Sequence, residues 1–192
     1  MANEDRRQFI VMMVDTQRAD SVGAYGSRVA RTPNIDSLAS RGIRFDNASC
    51  CQAVCSPARS ALFTGSYPHT NGMVANEMYL YEHIRTVGQR LQHHGVHSAY
   101  IGKWHLDGGD YFGTGECPDG WDPEYWYDMR MYLEELPEAW RWASRRFSTV
   151  HEEWFSREFT YAHRCAERAK RFIKNHANED YLLVVSFDEP HS

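Results

Sequence analysis

Phe9-Ile10-Val11-Met12-Met13-Val14 is an unbroken apolar run of strand length, and it stops at a carboxylate, Asp15. Alternation would mark a strand with one wet face, whereas a continuous run marks a strand buried on both. Tyr181-Leu182-Leu183-Val184-Val185-Ser186-Phe187 is a second such run, and Ser98-Ala99-Tyr100-Ile101 reads as a strand running into Gly102. Ile43-Arg44-Phe45 reads as a further short strand. Helical patterns separate them. From Pro33, Ile35 and Leu38 share a face and Gly42 is the stop. Ser56 to Phe63 is the next, with Pro57 in the tolerant first turn and Gly65 at the end. Thr86 to His94 turns Val87 and Leu91 inward before Gly95. Phe159, Ala162, Cys165, Ala166, Ala169, Phe172 and Ile173 recur at helical spacing and define an amphipathic helix. Buried strands alternating with helices give an α/β domain with a largely parallel sheet. Ligands of such sheets gather beyond the carboxyl ends of the strands. Asp15, Lys103 and His191 each lie just past a predicted strand, so they are expected on one edge.

The totals narrow the function. At 192 residues the chain fits one domain with a real core. Its net charge is -5, and Lys and Arg are interspersed with Asp and Glu, which leaves no footprint for nucleic acid. The run that ends at Val14 is the longest apolar stretch, far too short to span a bilayer. Met1-Ala2-Asn3-Glu4-Asp5-Arg6-Arg7 carries an early acidic pair and precedes too short an apolar core for a secretory signal. The five cysteines are an odd count without scaffold spacing, and read as reduced thiols of a cytoplasmic protein. Residues 107–146 break the alternation with Trp, Tyr, Gly and Pro. They read as a surface excursion with its own small aromatic cluster, or else as a substrate-facing wall.

Cys50-Cys51-Gln52-Ala53-Val54-Cys55-Ser56-Pro57-Ala58-Arg59 carries the chemistry. If Pro57 opens a helix, Cys55 sits just ahead of free N–H groups and the positive end of the helix dipole, which favour an anion. Arg59, about one turn on, can reach back over the same spot. On the residues alone, Cys55 is a buried structural thiol or a nucleophile of lowered pKa. Zinc binding by Cys50, Cys51 and Cys55 lacks a second ligand pair at finger-like spacing.

Here the chain resembles the sulfatase family. Cys55-Ser56-Pro57-Ala58-Arg59 matches the family's Cys-x-Pro-x-Arg motif, in which the cysteine is oxidised to formylglycine, and Leu62-Phe63-Thr64-Gly65 resembles the family segment on the C-terminal side of that motif. Gly95 to His105 fits the second signature, Gly-Lys-x-His after a strand, through Gly102, Lys103 and His105. Thr32-Pro33-Asn34-Ile35-Asp36 resembles the early helix, and Asp188-Glu189-Pro190-His191 resembles a bacterial sulfatase-like branch. The landmarks occur in family order across nearly the whole chain. The resemblance implies an alkaline-phosphatase-like three-layer sandwich with a largely parallel central sheet. Residues 1–192 would be the N-terminal portion of the catalytic domain, inactive alone, because relatives are more than twice as long and carry further metal ligands and a second sulfate-binding Lys later in the chain.

The resemblance also assigns roles. Cys55, as formylglycine, would be hydrated to a geminal diol; one hydroxyl attacks sulfur and the second drives loss of sulfate. Asp15 would bind a divalent metal, Ca²⁺ before Mg²⁺ or Mn²⁺, with the modified Cys55 as a further ligand. Thr16 stands where many relatives carry a second Asp, and could offer a neutral oxygen. Arg59 would hold the diol, Lys103 a sulfate oxygen, and His105 would take the diol's proton. His191 would contact the leaving oxygen or a sulfate oxygen. The implied partners are a small-molecule or sugar sulfate ester, the formylglycine-generating enzyme during maturation, and the remainder of the sulfatase chain; no nucleic acid or membrane is implied. The same site would also suit phosphonate monoesters or phosphodiesters, and a homologue with unmodified Cys55 would bind anions without catalysis.

Overall fold

The computed structural model describes residues 6–144 and 156–191. Three parallel strands form its centre: β1 (Gln8–Val14), β2 (His97–Gly102) and β3 (Tyr181–Phe187), in the order β1-β3-β2. The last strand in sequence is thus the middle one in space, which is why its residues, apolar but for Ser186, can be buried on both faces. Gln8 pairs with Tyr181 and Val14 with Phe187, while His97 pairs with Tyr181 and Gly102 with Ser186. The strands therefore end level, and the residues after them meet on one edge.

Helices cover both faces. In chain order they are α1 (Pro33–Arg41), α2 (Cys55–Thr64), α3 (Pro68–Asn71), α4 (Val87–Gln92), α5 (Met129–Glu135), α6 (Glu138–Ala143) and α7 (Tyr161–Asn175). α7 lays Cys165, Ala169 and Phe172 on one face, against Ala99, Ile101, Leu183 and Val185. On the other face Phe63 of α2 joins Tyr100, Leu182 and Val184, with Val87 and Leu91 of α4 packed against them. Each Val, Leu, Ile or Phe among them, when fully buried, stabilises by about 1.5–3 kcal/mol. α4 starts at a capping box: Thr86 accepts from the Gln89 N–H, and the Gln89 side chain accepts from the Thr86 N–H. No helix of the described residues is long and apolar enough to cross a membrane.

Three expectations need correcting. β1 is not buried on both faces: Phe9 is 63% and Met12 57% exposed. Its neighbour among the described residues is β3 alone, and α7, which packs on β3 and β2, leaves Ile10 and Met12 uncovered. Ile43-Arg44-Phe45 is not a strand. It has no sheet neighbour, Ile43 is 82% exposed, and the segment is tied instead through Tyr25 Oη to the Phe45 carbonyl (2.8 Å) and Arg44 Nη1 to the Ala24 carbonyl (2.6 Å). Finally, residues 107–144 are no separate surface cluster, and residues 145 and 146 lie outside the described residues. Trp121 and Trp126 fill the α2 side of the core, and Tyr125, Tyr127 and Tyr132 the α7 side. The segment can enter because the β2 edge is open to it: Tyr127 bridges to Ile101, and its carbonyl accepts the Gly102 N–H at 2.7 Å.

Candidate active site

Cys55 is the first residue of α2, after an extended Val54, and Pro57 lies in the first turn. The Ser56 N–H, one of the orphan donors of that turn, is taken by Asn76 Oδ1 at 3.0 Å. Gly65, at φ +68°, ends the helix by donating its N–H to the Ala61 carbonyl. β2 delivers Lys103. Gly102, at φ +115°, allows this: a Cβ there would lie 2.0 Å from the Ser186 carbonyl oxygen. The next N–H, that of Lys103, donates to that same carbonyl at 3.0 Å.

The strand ends converge as expected. Lys103 Nζ lies 2.6 Å from Asp15 Oδ2, 3.1 Å from Asp188 Oδ1 and 3.9 Å from Cys55 Sγ. Cys55 Sγ is 3.6 Å from Asp15 Oδ2. Arg59 Nη1 donates to the Lys103 carbonyl (2.6 Å) and Ser186 Oγ (2.8 Å), and Nη2 lies 3.5 Å from Asp15 Oδ2. Donor atoms of Asp15, Cys55 and His191 all fall within 4.8 Å of one another. His105 is buried at φ +60°, and its Nδ1 has no hydrogen-bond partner among the described residues. Thr16 stands beside the cluster, exposed and at φ +54°.

Two members of the site were not anticipated. Asp188 follows β3 as Asp15 follows β1, so the strand-end rule that singled out Asp15 applied equally to it. Tyr111 carried no such signal, being one aromatic among many. Its hydroxyl donates to Asp188, its ring centroid lies 3.9 Å from Lys103 Nζ, and its ring stacks 5.0 Å from that of His191.

The charges act on one another. Burial resists ionisation of Asp15, but the hydrogen bond and charge of Lys103, with Arg59 and His191, hold its carboxyl below the ordinary value. Burial pushes the Cys55 thiol up and the Asp15 carboxylate adds to this, outweighing Lys103 and Arg59. The expectation of a lowered cysteine pKa therefore fails: the helix start is there, but a carboxylate shares it. Burial, then the Lys103 and Arg59 charges, press His105 down to about 4, so its imidazole is neutral near pH 7. Asp15 is a hard ligand suited to Ca²⁺ or Mg²⁺, and an oxygen at the Cys55 position would suit the same ions better than sulfur. These residues fit one side of a divalent-metal site.

Comparison with known proteins agrees. The Sulfatase family model matches residues 7–192. An uncharacterized sulfatase of Escherichia coli (strain K12), YidJ, is 45% identical, matching 97% of this chain and 39% of its own length. An N-acetylglucosamine-6-O-sulfatase of Bacteroides thetaiotaomicron is 35% identical over 68% of this chain and 25% of its own. Among solved structures, a protein in complex with its substrate D-glucosamine-2-N,6-O-disulfate superposes with a TM-score of 0.71 at 26% identity, covering 97% of this chain and 35% of that one. The phosphonate monoester hydrolase of Agrobacterium radiobacter gives 0.75 at 20% identity over 97% and 42%, a likeness of fold alone. The chain thus spans less than half the length of each of these relatives.

Proposed function

The chain belongs to the sulfatase family and has the alkaline-phosphatase-like α/β fold, and from that premise we propose that, together with the remainder of the sulfatase chain and not alone, it hydrolyses sulfate esters, with Cys55 matured to formylglycine beside a divalent cation at Asp15. The observation that carries this reading is the convergence of Asp15, Arg59 and Lys103 on the side chain that opens α2. The raised thiol pKa disfavours a thiolate nucleophile in their midst. The matured side chain supplies a hydroxyl nucleophile that can release sulfate again, and the cation, Ca²⁺ before Mg²⁺ or Mn²⁺, supplies Lewis acidity. Asp15 and the residue at 55 would hold that cation, Thr16 offering a neutral oxygen, with further ligands from the remainder of the sulfatase chain.

The chain's own residues do the rest. Arg59 holds the reacting side chain against the sheet and balances charge there. Lys103, with three donors, can keep Asp15 and Asp188 while turning one N–H to a sulfate oxygen, offsetting the charge that develops on it. His105, neutral and with an unpaired Nδ1, is placed to accept a proton. His191 contacts the leaving oxygen or a sulfate oxygen. The substrate class we favour is a sugar sulfate, as in the names of two relatives. Maturation calls for a formylglycine-generating enzyme, and the four remaining cysteines, free thiols, suit a reducing compartment such as the cytoplasm.

Intact-mass analysis of the Cys55 peptide from the native host tests this. The peptide should be about 18 Da lighter than its unmodified form, and the protein should hydrolyse a sulfate ester faster than the matched phosphodiester. A free thiol in a preparation that still cleaves sulfate esters overturns the mechanism. A free thiol without activity favours an anion-binding homologue, and faster phosphodiester cleavage reassigns the substrate.

A further inference from the structure

Two histidines and two carboxylates gather at the end of the sheet opposite Cys55, where the proposed hydrolysis does not use them. His97 opens β2, His176 caps the C-terminus of α7, Glu179 lies just before β3, and Asp122 sits in the loop beside β2. Glu179 Oε2 is 3.0 Å from His176 Nδ1 and 3.3 Å from His97 Nδ1, and the three donor atoms fall within 4.8 Å of one another. Around four-coordinate zinc, with bonds of about 2.0–2.1 Å, adjacent ligand atoms stand roughly 3.4 Å apart. Two edges of such a polyhedron are therefore close to their final length.

The surroundings favour an ion. Asp122 Oδ2 lies 2.6 Å from His97 Nε2. Asp122 thus stands behind His97 as an outer carboxylate that can fix the ring's orientation, while Nδ1 faces Glu179. Nδ1 of each ring faces the same Glu179 oxygen, so one ion between them can meet all three. Both rings are held: Phe172, fully buried, lies 4.5 Å from His176 and 5.2 Å from His97, and Tyr125 lies 5.4 Å from His176. The ligand side chains remain partly open to solvent, so an ion and a water can enter.

We propose that His97, His176 and Glu179, backed by Asp122, form a zinc site with water as the fourth ligand, tying the end of α7 to the starts of β2 and β3. It is independent of the chemistry at Cys55.

The test uses the intact protein with Co²⁺ as a spectroscopic stand-in, then Zn²⁺ to displace it. Wild type should show the strong visible absorption of four-coordinate Co²⁺ without a thiolate charge-transfer band, lose it on adding Zn²⁺, and melt at a higher temperature with Zn²⁺. His176→Gln should abolish the thiolate-free Co²⁺ band, Asp122→Asn should weaken affinity about 10- to 100-fold, and Asp15→Asn should leave that band in place. A thiolate band, a signal lost in Asp15→Asn, or one untouched in His176→Gln overturns the proposal. If His176→Gln does not fold, an unchanged affinity in Asp122→Asn overturns it as well. Absence of the wild-type band also ends the proposal.

Discussion

Arg59 donates to the main-chain carbonyl of Lys103 at 2.6 Å, so the helix that starts at Cys55 is latched to the strand end that carries the site's ammonium. The same nitrogen bonds Ser186 Oγ, and Tyr100 Oη donates to that same Lys103 carbonyl at 2.5 Å. One guanidinium thus fixes α2 against β2 and β3 while facing Asp15 after β1. A single side chain holds the helix in place and adds to the charge around Cys55.

Arg59→Lys separates the two roles from mere positive charge. A lysine ammonium cannot reproduce the planar fork, and each buried acceptor left without its donor costs about 1–3 kcal/mol. The Lys103 carbonyl keeps the Tyr100 hydroxyl, so the variant is expected to lose about 1–3 kcal/mol in urea unfolding, and sulfate-ester kcat/KM by about 100-fold or more. An unchanged unfolding midpoint would show that the latch contributes little.

Lys103 stands between two carboxylates with its side chain 2% exposed. Lys103→Ala takes the ammonium from Asp188 and leaves Asp15 with Arg59 alone, a loss of about 3–5 kcal/mol for a broken buried pair. A divalent cation at Asp15 can replace the missing charge. Calcium or magnesium is therefore expected to raise the thermal midpoint of Lys103→Ala more than that of wild type. Equal shifts would remove Asp15 from the ligand set.

The strand ends were legible because two apolar runs and a shorter strand each stop at a residue of distinctive chemistry. Cys55, Arg59, Lys103 and His105 were legible because they sit in two short signatures, and the structure brings Asp15, Cys55, Arg59, Lys103 and His191 together as those imply. The exposure of β1 was not legible, since an apolar run reports what a strand is built to bury and not which neighbours it has. Nor was the burial of Trp121 and Tyr127: an aromatic stretch studded with Gly and Pro looks like surface until an open strand edge receives it. Tyr111 could not be singled out for the same reason. His97 lies too far along the chain from His176 and Glu179 for the three to announce a cluster.

Glu135 accepts Arg164 and Arg168 at 2.6 Å each and the Tyr127 hydroxyl at 2.7 Å, joining α5 to α7. Partial burial opposes its ionisation, but Tyr127 and the two arginines prevail and hold its carboxyl below the usual 4.5. A lowered folded-state pKa means that this stabilisation is complete above pH 4.5 and drains away as pH falls through the lowered value. The side chain is about one-third exposed, so screening limits the effect to about 1 kcal/mol or less. Glu135→Gln is expected to be slightly less stable at pH 7 and to lose less on acidification; a parallel acid limb in the two proteins would count against the linkage.

Tyr111 offers a ring to Lys103 and a hydroxyl to Asp188, and the two can be removed in turn. Tyr111→Phe keeps the ring 3.9 Å from the ammonium and drops the hydroxyl, at about 1 kcal/mol for one hydrogen bond, or roughly fivefold in kcat/KM for a sulfate ester. Tyr111→Ala also removes a desolvated cation–π contact of about 2 kcal/mol, and should cost roughly a further tenfold or more. Burial and then the bond to Asp188 push the phenol's pKa well up, so the hydroxyl stays protonated through the alkaline range. The rate ratio of wild type to Tyr111→Phe should therefore stay level as pH rises from neutral. A ratio that shrinks toward unity at high pH would mean that the hydroxyl ionises and that its partner is not the Asp188 carboxylate.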